Sequence, residues 1–559
     1  MKVFIPSIVS VFLFSFFISC DPVPSKLKEL TDFIPKNPSV VLTINDFEAL
    51  KSDLKNNSFL AKLKNSKPYS YLNNKEIFNH LNPSSKSILC ISEENDKSSF
   101  TFITKLSENL FNLDSIPDKT IENISFNSYT LQKVIINEQA IFTTIKDSIF
   151  VVSNSQKVLE QLLSGKNEND AVFKKITALS NHQDLTAIIP ANEILVNQAL
   201  LFNFASWAAL NIEVLPDALT ASGVVLANDS VSQLVSIFKG LNPQQNDIAK
   251  VTPTNANRVV SLTFDDFALF QNNLQNFRGI KSVNSEETIL FEAISEVSKI
   301  SFSKGNAIVL KSFDIGLTSE ALFNYSSPKA SFKGIMIHHF NEPNLFVNHF
   351  LTFTNKTAPK EVFILDNFFI FSENEEVTQN IINSYLTNNC LSSTSYYKEA
   401  LSQLSDESSL LIMMLNGNYS GAISNLLKIK TETVSFKKYP IAILQFNYDR
   451  DFAHVNFVCK ETSFSSSNNL KGKVTQINSI QLENELLNDP TFFSNHKTGG
   501  KDIVVQDVTN KLYFISSGGK ILWTKKLKNP ILGKVKEVDL LRNGKKQLAF
   551  TTKNNFYIL

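Results

Sequence analysis

Three short motifs of this 559-residue chain hold residue types able to transfer an acyl group: Ser326-Ser-Pro-Lys329, Ser372-Glu-Asn374 and Lys497-Thr-Gly499. A Ser with a Lys one helical turn further on can give its proton to that amine and attack a carbonyl. The surroundings do not suit such a pair. Pro328 stands between Ser326 and Lys329 and an alternating pattern follows, so a strand is expected here, not a helix face. His338, His339 and His349 with Glu342 carry metal-ligating atoms, yet adjacent histidines on a strand point to opposite faces, so at most one of that pair can join His349. Asp265 and Asp266 read as a helix cap. Cys90 and Cys459 lie in the strand-like SILCIS and NFVCKE; with Cys390 they form no CxxC and no disulfide framework, and they read as small core residues. No phosphate loop, GxSxG or HExxH occurs. No catalytic, cofactor-binding or metal-binding residue is assigned, and the chain reads as a non-enzyme.

The elements that would have to position any site are repeated. DSIFVVSNSQKVLEQLLS, from Asp147 to Ser164, recurs as DNFFIFSENEEVTQNIIN from Asp366, 219 residues on. Asp147, Phe150, Ser153 and Val158 return as Asp366, Phe369, Ser372 and Val377. The pattern is an apolar strand closed by Ser, then Val158, Leu159, Leu162 and Leu163 at helical spacing. A second block agrees at an offset of 220: Leu42, Thr43, Asp46, Phe47, Leu54 and Asn56 match Leu262, Thr263, Asp266, Phe267, Leu274 and Asn276. Val40, Leu42 and Ile44 alternate as a strand, Asn45 or Asp46 caps, and Phe47, Leu50 and Leu54 continue on a helix face. Further strands are expected at 87–91 and 99–103, with counterparts at 307–312 and 332–338, and then at 185–190 and 222–228, with counterparts at 410–415 and 441–447.

The fold expected is α+β: two tandem copies with largely antiparallel sheets and packed helices, residues 33–240 and 256–462, followed by a short all-β segment. Polar stretches at 241–255 and 463–500 read as linkers. A net charge of +1 with both signs interspersed lacks the footprint of a nucleic-acid binder. The 46 Phe residues read as compositional bias rather than as an aromatic binding surface.

Met1-Lys2, an apolar run over 3–18 and then Ser19-Cys20 form a secretory signal over 1–19 that resembles the lipobox of bacterial lipoproteins, with Phe17 where Leu is more usual. That likeness implies lipidation at Cys20, a tether over 20–32 stiffened by Pro22 and Pro24, and attachment to a bacterial membrane by acyl chains. IPKNPSVVLTINDF, DSIFVVSNSQKVLEQLL and the closing strand near Gly223 resemble an uncharacterised family of Bacteroidetes-type envelope lipoproteins, over roughly residues 30–460. This resemblance implies an envelope location and transfers no catalytic residue. The order of the Ser326, Ser372 and Lys497 motifs resembles that of penicillin-recognising serine enzymes, without their helical context.

In 501–559, Gly519, Lys520 and Trp523 resemble quinoprotein-like β-propeller repeats, and VDLLRNGKKQLAFTT resembles integrin-type repeats. Ile515 and Tyr513 replace the acidic and Ala positions of the first signature, and Leu541 interrupts Asp539 and Asn543 of a calcium loop, so neither quinone nor calcium is implied. There is room for one blade and part of another, so an incomplete propeller is expected; a small sheet docked on the second copy is the alternative. The functional expectation is an envelope-anchored binding or scaffold protein with a protein or glycan partner. The alternatives are an enzyme with a site between the copies, or an outer-membrane assembly factor resembling propeller lipoproteins of that machinery.

Replacing Cys20 by Ala is expected to release the protein from membranes or to leave its signal uncut. Unchanged detergent partitioning together with an unchanged mature mass would contradict lipidation.

Overall fold

The computed structural model of the protein describes residues 28–57, 76–94, 97–112, 116, 119–136, 139–179, 184–196, 199–228, 230–279, 289–354, 357–417, 438–461, 480–495, 500–540 and 545–559. Cys20 and Lys497 therefore lie outside the described residues. A 3₁₀ turn at Leu30–Phe33, within the expected tether, buries Leu30 and Phe33. The elements then run β1 (Val40–Ile44), α1 (Phe47–Asn56), β2 (Ser87–Glu94), β3 (Lys97–Lys105), β4 (Thr120–Phe126), β5 (Tyr129–Ile136), β6 (Gln139–Lys146), β7 (Ile149–Ser153), α2 (Gln156–Leu163), α3 (Ala171–Leu179), β8 (Leu185–Pro190), β9 (Glu193–Val196), β10 (Ala199–Phe202), β11 (Trp207–Val214) and β12 (Ala218–Leu226). After these come β13 (Gln244–Gln245), β14 (Arg258–Thr263), α4 (Phe267–Arg278), β15 (Ile294–Phe302), β16 (Gly305–Ser312), α5 (Ile315–Phe323), β17 (Ser326–Phe332), β18 (Ile335–Phe340), α6 (Leu345–Thr354), β19 (Glu361–Leu365), β20 (Phe368–Ser372), α7 (Glu375–Leu386), α8 (Ser395–Leu401), β21 (Glu407–Ser408), β22 (Leu410–Leu415), β23 (Ile441–Asp449) and β24 (Phe452–Lys460).

Twenty of these strands pair into one antiparallel row. Its first half runs β4-β5-β6-β7-β3-β2-β1-β8-β11-β12. Its second half continues β24-β23-β22-β14-β15-β16-β20-β19-β18-β17. The join is β12 against β24, nine residue pairs from Ala218↔Lys460 to Leu226↔Phe452. Among the described residues β4 and β17 pair with one neighbour each and not with one another, so the row is open at both ends. Read inward from either end, the strands follow the same chain order: fourth to seventh, then third, second, first, then eighth to tenth. The fold is thus α+β around a large antiparallel sheet.

Both faces of the sheet are covered, which is why its strands read as nearly continuous apolar runs. Leu42 and Ile44 of β1 join Phe47, Leu50 and Leu54 of α1 in one cluster, while Val41 faces Leu159 and Leu162 of α2 on the other side. In the second half, Val260 and Leu262 meet Phe267 and Phe270 of α4 and Phe346 and Phe350 of α6, and Val259 faces Val377 and Ile381 of α7. Caps begin the helices where the sequence places them. Asp46 accepts from Ala49 N, Asp266 from Leu269 N, Ser155 from Val158 N and Asn374 from Val377 N.

Several expectations need correction. The strands at 222–228 and 441–447 are not counterparts, since β12 is the tenth strand of its half and β23 the ninth of the other, and 87–91 and 307–312 lie on a second and a third strand. Residues 332–338 are not one strand: they hold the end of β17, a turn at Lys333 and Gly334, and the start of β18, because those two residues take positive φ and close the hairpin; β16 pairs with β15 instead. The stretch 241–255 is folded: β13 pairs with β21, and Ile248 and Ala249 are buried. The stretch 463–500 already contains β25 (Thr491–Ser494), since Phe493 is buried against Phe514.

β25 continues as a meander with β26 (Lys501–Gln506), β27 (Lys511–Ile515) and β28 (Ile521–Lys526), beside a three-stranded sheet of β29 (Ile531–Val538), β30 (Gln547–Thr552) and β31 (Phe556–Ile558). Leu512, Phe514, Ile531, Leu548 and Phe550 bind the two sheets together. Asp507 closes the turn before β27. Burial works against its charge, but donation from Lys511 N, Asn484, Thr509 and the Tyr513 hydroxyl outweighs this and holds the carboxyl at about 2.

Gly223 lies on the joining strand, and a Cβ there would stand 1.9 Å from the Ala209 carbonyl oxygen. A backbone atom cannot swing aside as a side chain can. Gly223→Ala is therefore expected to lower folding stability by about 3 kcal/mol in urea unfolding; a loss under about 1 kcal/mol would show that β11 and β12 separate easily.

Candidate functional site

Where the two halves of the sheet meet, the β23–β24 hairpin and residues 240–243 enclose a cleft of about 480 Å³. The hairpin supplies Asn447, Tyr448, Asp449, Arg450 and His454, and the other wall is Gly240, Leu241, Asn242 and Pro243. Each wall is held locally. Gly240 takes φ 78°, letting the chain leave the buried 3₁₀ turn at Leu234–Phe238. Asp265 accepts from Asn242 N at 3.0 Å and from its Nδ2 at 2.5 Å. Asp265 is thus a tether for the cleft wall, and Asp266 alone caps α4. Arg450 takes φ 56° in the hairpin turn, and its guanidinium, 3.9 Å from Asp449, remains largely exposed. The Asn447 Oδ1 is buried without a hydrogen-bond partner among the described residues. Arg450 and His454 supply donors, Asp449 and Asn447 supply acceptors, and Leu241, Pro243 and Tyr448 supply apolar wall. This combination suits the binding of a small polar group.

The motifs read as chemistry resolve into structure. Ser326 and Lys329 both lie on β17, and Ser326 Oγ donates to Leu322 O at 3.1 Å. Lys329 forms an ion pair with Glu361, a bond that raises its pKa and leaves it a poor base. Glu361 also accepts from Thr378, whose hydroxyl meets Ser372, so Ser372 serves to fasten α7 to the end of β20. Ser312 and Thr318 repeat the device at the start of α5.

His349 is buried on α6 with Nδ1 2.8 Å from Gln271 Nε2, ringed by Phe267, Phe291 and Phe350. His338 and His339 are on β18, and no group of three or more metal-ligating side chains forms among the described residues. Cys90, Cys390 and Cys459 are buried and form no disulfide among the described residues; burial raises Cys390 to about 11 and Cys90 further.

Sequence reasoning missed a buried polar knot. Glu296 on β15 accepts from Ser261 Oγ at 2.7 Å, Ser298 Oγ at 3.3 Å, Asp247 N at 2.9 Å and Ile248 N at 3.3 Å. Burial raises the Glu296 carboxyl, with the Ser261 and Asp247 bonds opposing. Asp247 in turn meets Lys250 at 2.9 Å and Lys311 at 2.8 Å; burial works against its charge, but these bonds hold it below the usual carboxylate range. The knot ties residues 244–250 to the sheet. A Glu inside the apolar strand ISEVSKISF is the signal that could have found it. Two cations are buried on neighbouring strands: Lys299, lowered to about 8 by burial with Glu373 opposing, donates to Thr354 O at 2.9 Å, while Arg258 Nη1 has no partner among the described residues.

No family model matches the chain, and no curated protein matches it. Among solved structures, crystal forms III and I of TP0453 align with it at a TM-score of 0.23 each and 10% and 9% identity, covering 39% of this chain and 88% of that chain.

Glu296→Ala would leave four donors without their acceptor in the core. It is expected to cost about 3–5 kcal/mol by urea unfolding. A loss under about 1 kcal/mol would mean that residues 244–250 are held by their apolar contacts alone.

Proposed function

We propose that this chain is a lipid-anchored bacterial envelope protein that acts by binding rather than by chemistry, and that the two halves of its sheet are copies of one unit. The anchor rests on the apolar run before Ser19-Cys20. No helix of the described residues is long and apolar enough to cross a membrane. The duplication is supported by the identical order of ten strands in each half, and by details at matched positions. Asp147 and Asp366 both take positive φ, and Phe150 and Phe369 are buried on β7 and β20. Leu42 and Leu262 are likewise buried on β1 and β14. For the C-terminal residues we propose propeller-like descent. The four-stranded meander, with Trp523 stacked on Phe514 at 5.1 Å, has the form of one blade, and β29–β31 have that of part of another.

The observation that carries the binding role is the cleft between residues 240–243 and the β23–β24 hairpin, with its mixed polar and apolar lining. An envelope protein or a glycan, presenting polar groups beside apolar surface, suits its lining. A second reading, assembly of envelope proteins, is favoured by β4. This seven-residue end strand is exposed and has no proline, whereas β17 at the opposite end carries Pro328, Lys329 and a bulge, features that discourage added strands.

Capture of cross-linked partners from membranes with tagged mature protein separates the readings. Arg450→Ala with His454→Ala is expected to reduce capture at least tenfold, with Asn123→Pro on β4 having no effect. The reverse pattern would favour assembly through the strand edge, and equal capture by all variants would sink both.

A further inference from the structure

A buried cation stands at the start of β14, where the strand's pattern calls for an apolar side chain. Val260 and Leu262, which follow Arg258 on the same face, belong to the apolar cluster packed by α4 and α6. Only 7% of Arg258 is exposed, and its Nη1 has no hydrogen-bond partner among the described residues. Register sets a second cation beside it. On β15, Ser301 stands opposite Arg258 and Lys299 opposite Val260, so Arg258 and Lys299 are diagonal neighbours on one face of the sheet. Lys299 is 5% exposed and donates to Thr354 O, at the end of α6, at 2.9 Å. The carboxylate on this side of the sheet is engaged elsewhere. Glu373 directly follows β20, three strands along the row from β14, which at the usual strand spacing is about 14 Å away. Its Oε2 accepts from Asn306 N at 2.7 Å and from Asn306 Nδ2 at 2.8 Å, and its Oε1 from Ala358 N at 3.4 Å.

We propose that Arg258 and Lys299 form a binding site for a small oxyanion, the phosphate or carboxylate group of a ligand. A buried charge is costly unless it is paired, and a guanidinium cannot escape that cost by shedding its proton. Its planar fork presents two parallel N–H donors, the geometry that an oxyanion accepts. Lys299 adds a second positive charge beside it. Burial lowers that ammonium to about 8, with Glu373 opposing, so at neutral pH it is still largely charged. The site is separate from the cleft. Arg258 pairs with Met414 and Met414 with Ala442 near the start of β23, whereas the cleft residues Asn447 to Asp449 stand at the other end of that strand. Arg258 is the first residue of its strand and Asn255 just before it is exposed, so the approach is from the end of the sheet.

The test uses the full chain in detergent, with thermal unfolding followed at pH 7 as inorganic phosphate or acetate replaces chloride at constant ionic strength. The parent is expected to show a saturable rise in its unfolding midpoint of at least about 2 °C. A rise with phosphate alone marks a phosphoryl ligand and a rise with acetate alone a carboxylate ligand; a rise with both supports the site for either. Arg258→Met, uncharged and of similar length, is expected to show no rise with either anion. In chloride it is expected to unfold no lower than the parent, because the substitution removes an unpaired buried charge rather than a bond. Arg258→Lys keeps the charge without the fork and is expected to need about tenfold more anion for the same rise. The site is overturned if neither anion raises the parent's midpoint. It is also overturned if an anion raises the parent, Arg258→Met and Arg258→Lys alike, which would mark an adventitious ion only. An Arg258→Met chain that unfolds below the parent in chloride, or does not fold, would overturn it too, since the guanidinium would then be satisfied within the protein.

Discussion

The pairing of β12 with β24 is the constraint on which the rest of the sheet depends. Each strand would otherwise be the last of its own half, presenting a row of unsatisfied N–H and C=O groups. Paired over nine residues, they turn two edges into an interior. The core follows the seam. Phe204 and Val225 of the first half share a cluster with Phe446 and Val455 of the second, and the Phe204 and Phe446 rings lie 4.8 Å apart. On the other side of β12, Gly223 lies so close to the Ala209 carbonyl of β11 that no side chain fits there.

The two halves solve the same covering problem with different inserted elements. In the second half, α5 lies between β16 and β17 and α6 between β18 and β19. They bring Ala321, Leu322, Phe346 and Phe350 to one face, and that face holds the dense aromatic cluster of Phe264, Phe267, Phe270, Phe291 and Phe350. Much of the abundant Phe is therefore packing material, which agrees with its reading as compositional bias. The charged groups that penetrate this core are held by specific partners: Glu296 by four donors and Lys299 by a carbonyl. An isolated charge in such a place would be far costlier than one so bonded.

The C-terminal module differs in kind. Its own core is apolar and closed by Asp507, yet its attachment to α1 is polar. Two contacts that cross to the first half, from Gln481 to Asn56 and from Lys520 to Glu213, are of the kind that salt weakens.

Local patterns determined a good deal of this protein. Alternation in VVLTI and RVVSLT, helical spacing after Ser153 and Ser372, and Asp46 and Asp266 as caps were legible because each depends on residues a few positions apart. The matched blocks 219 and 220 residues apart were legible as well, since each keeps its apolar pattern. Pro328 was enough to place Ser326 and Lys329 on a strand. Tertiary structure decided what depends on residues far apart in the chain. That β12 finds β24 rather than solvent, that residues 244–250 are tied down by Glu296, and that α1 receives the C-terminal module are outcomes of contacts between segments tens to hundreds of residues apart. The cleft is of the same kind. Its walls come from residues 240–243 and 447–454, one held by Asp265 and the other by the β23–β24 pairing, and local sequence names neither partner because backbone hydrogen bonds specify that an edge be satisfied without naming the strand that satisfies it.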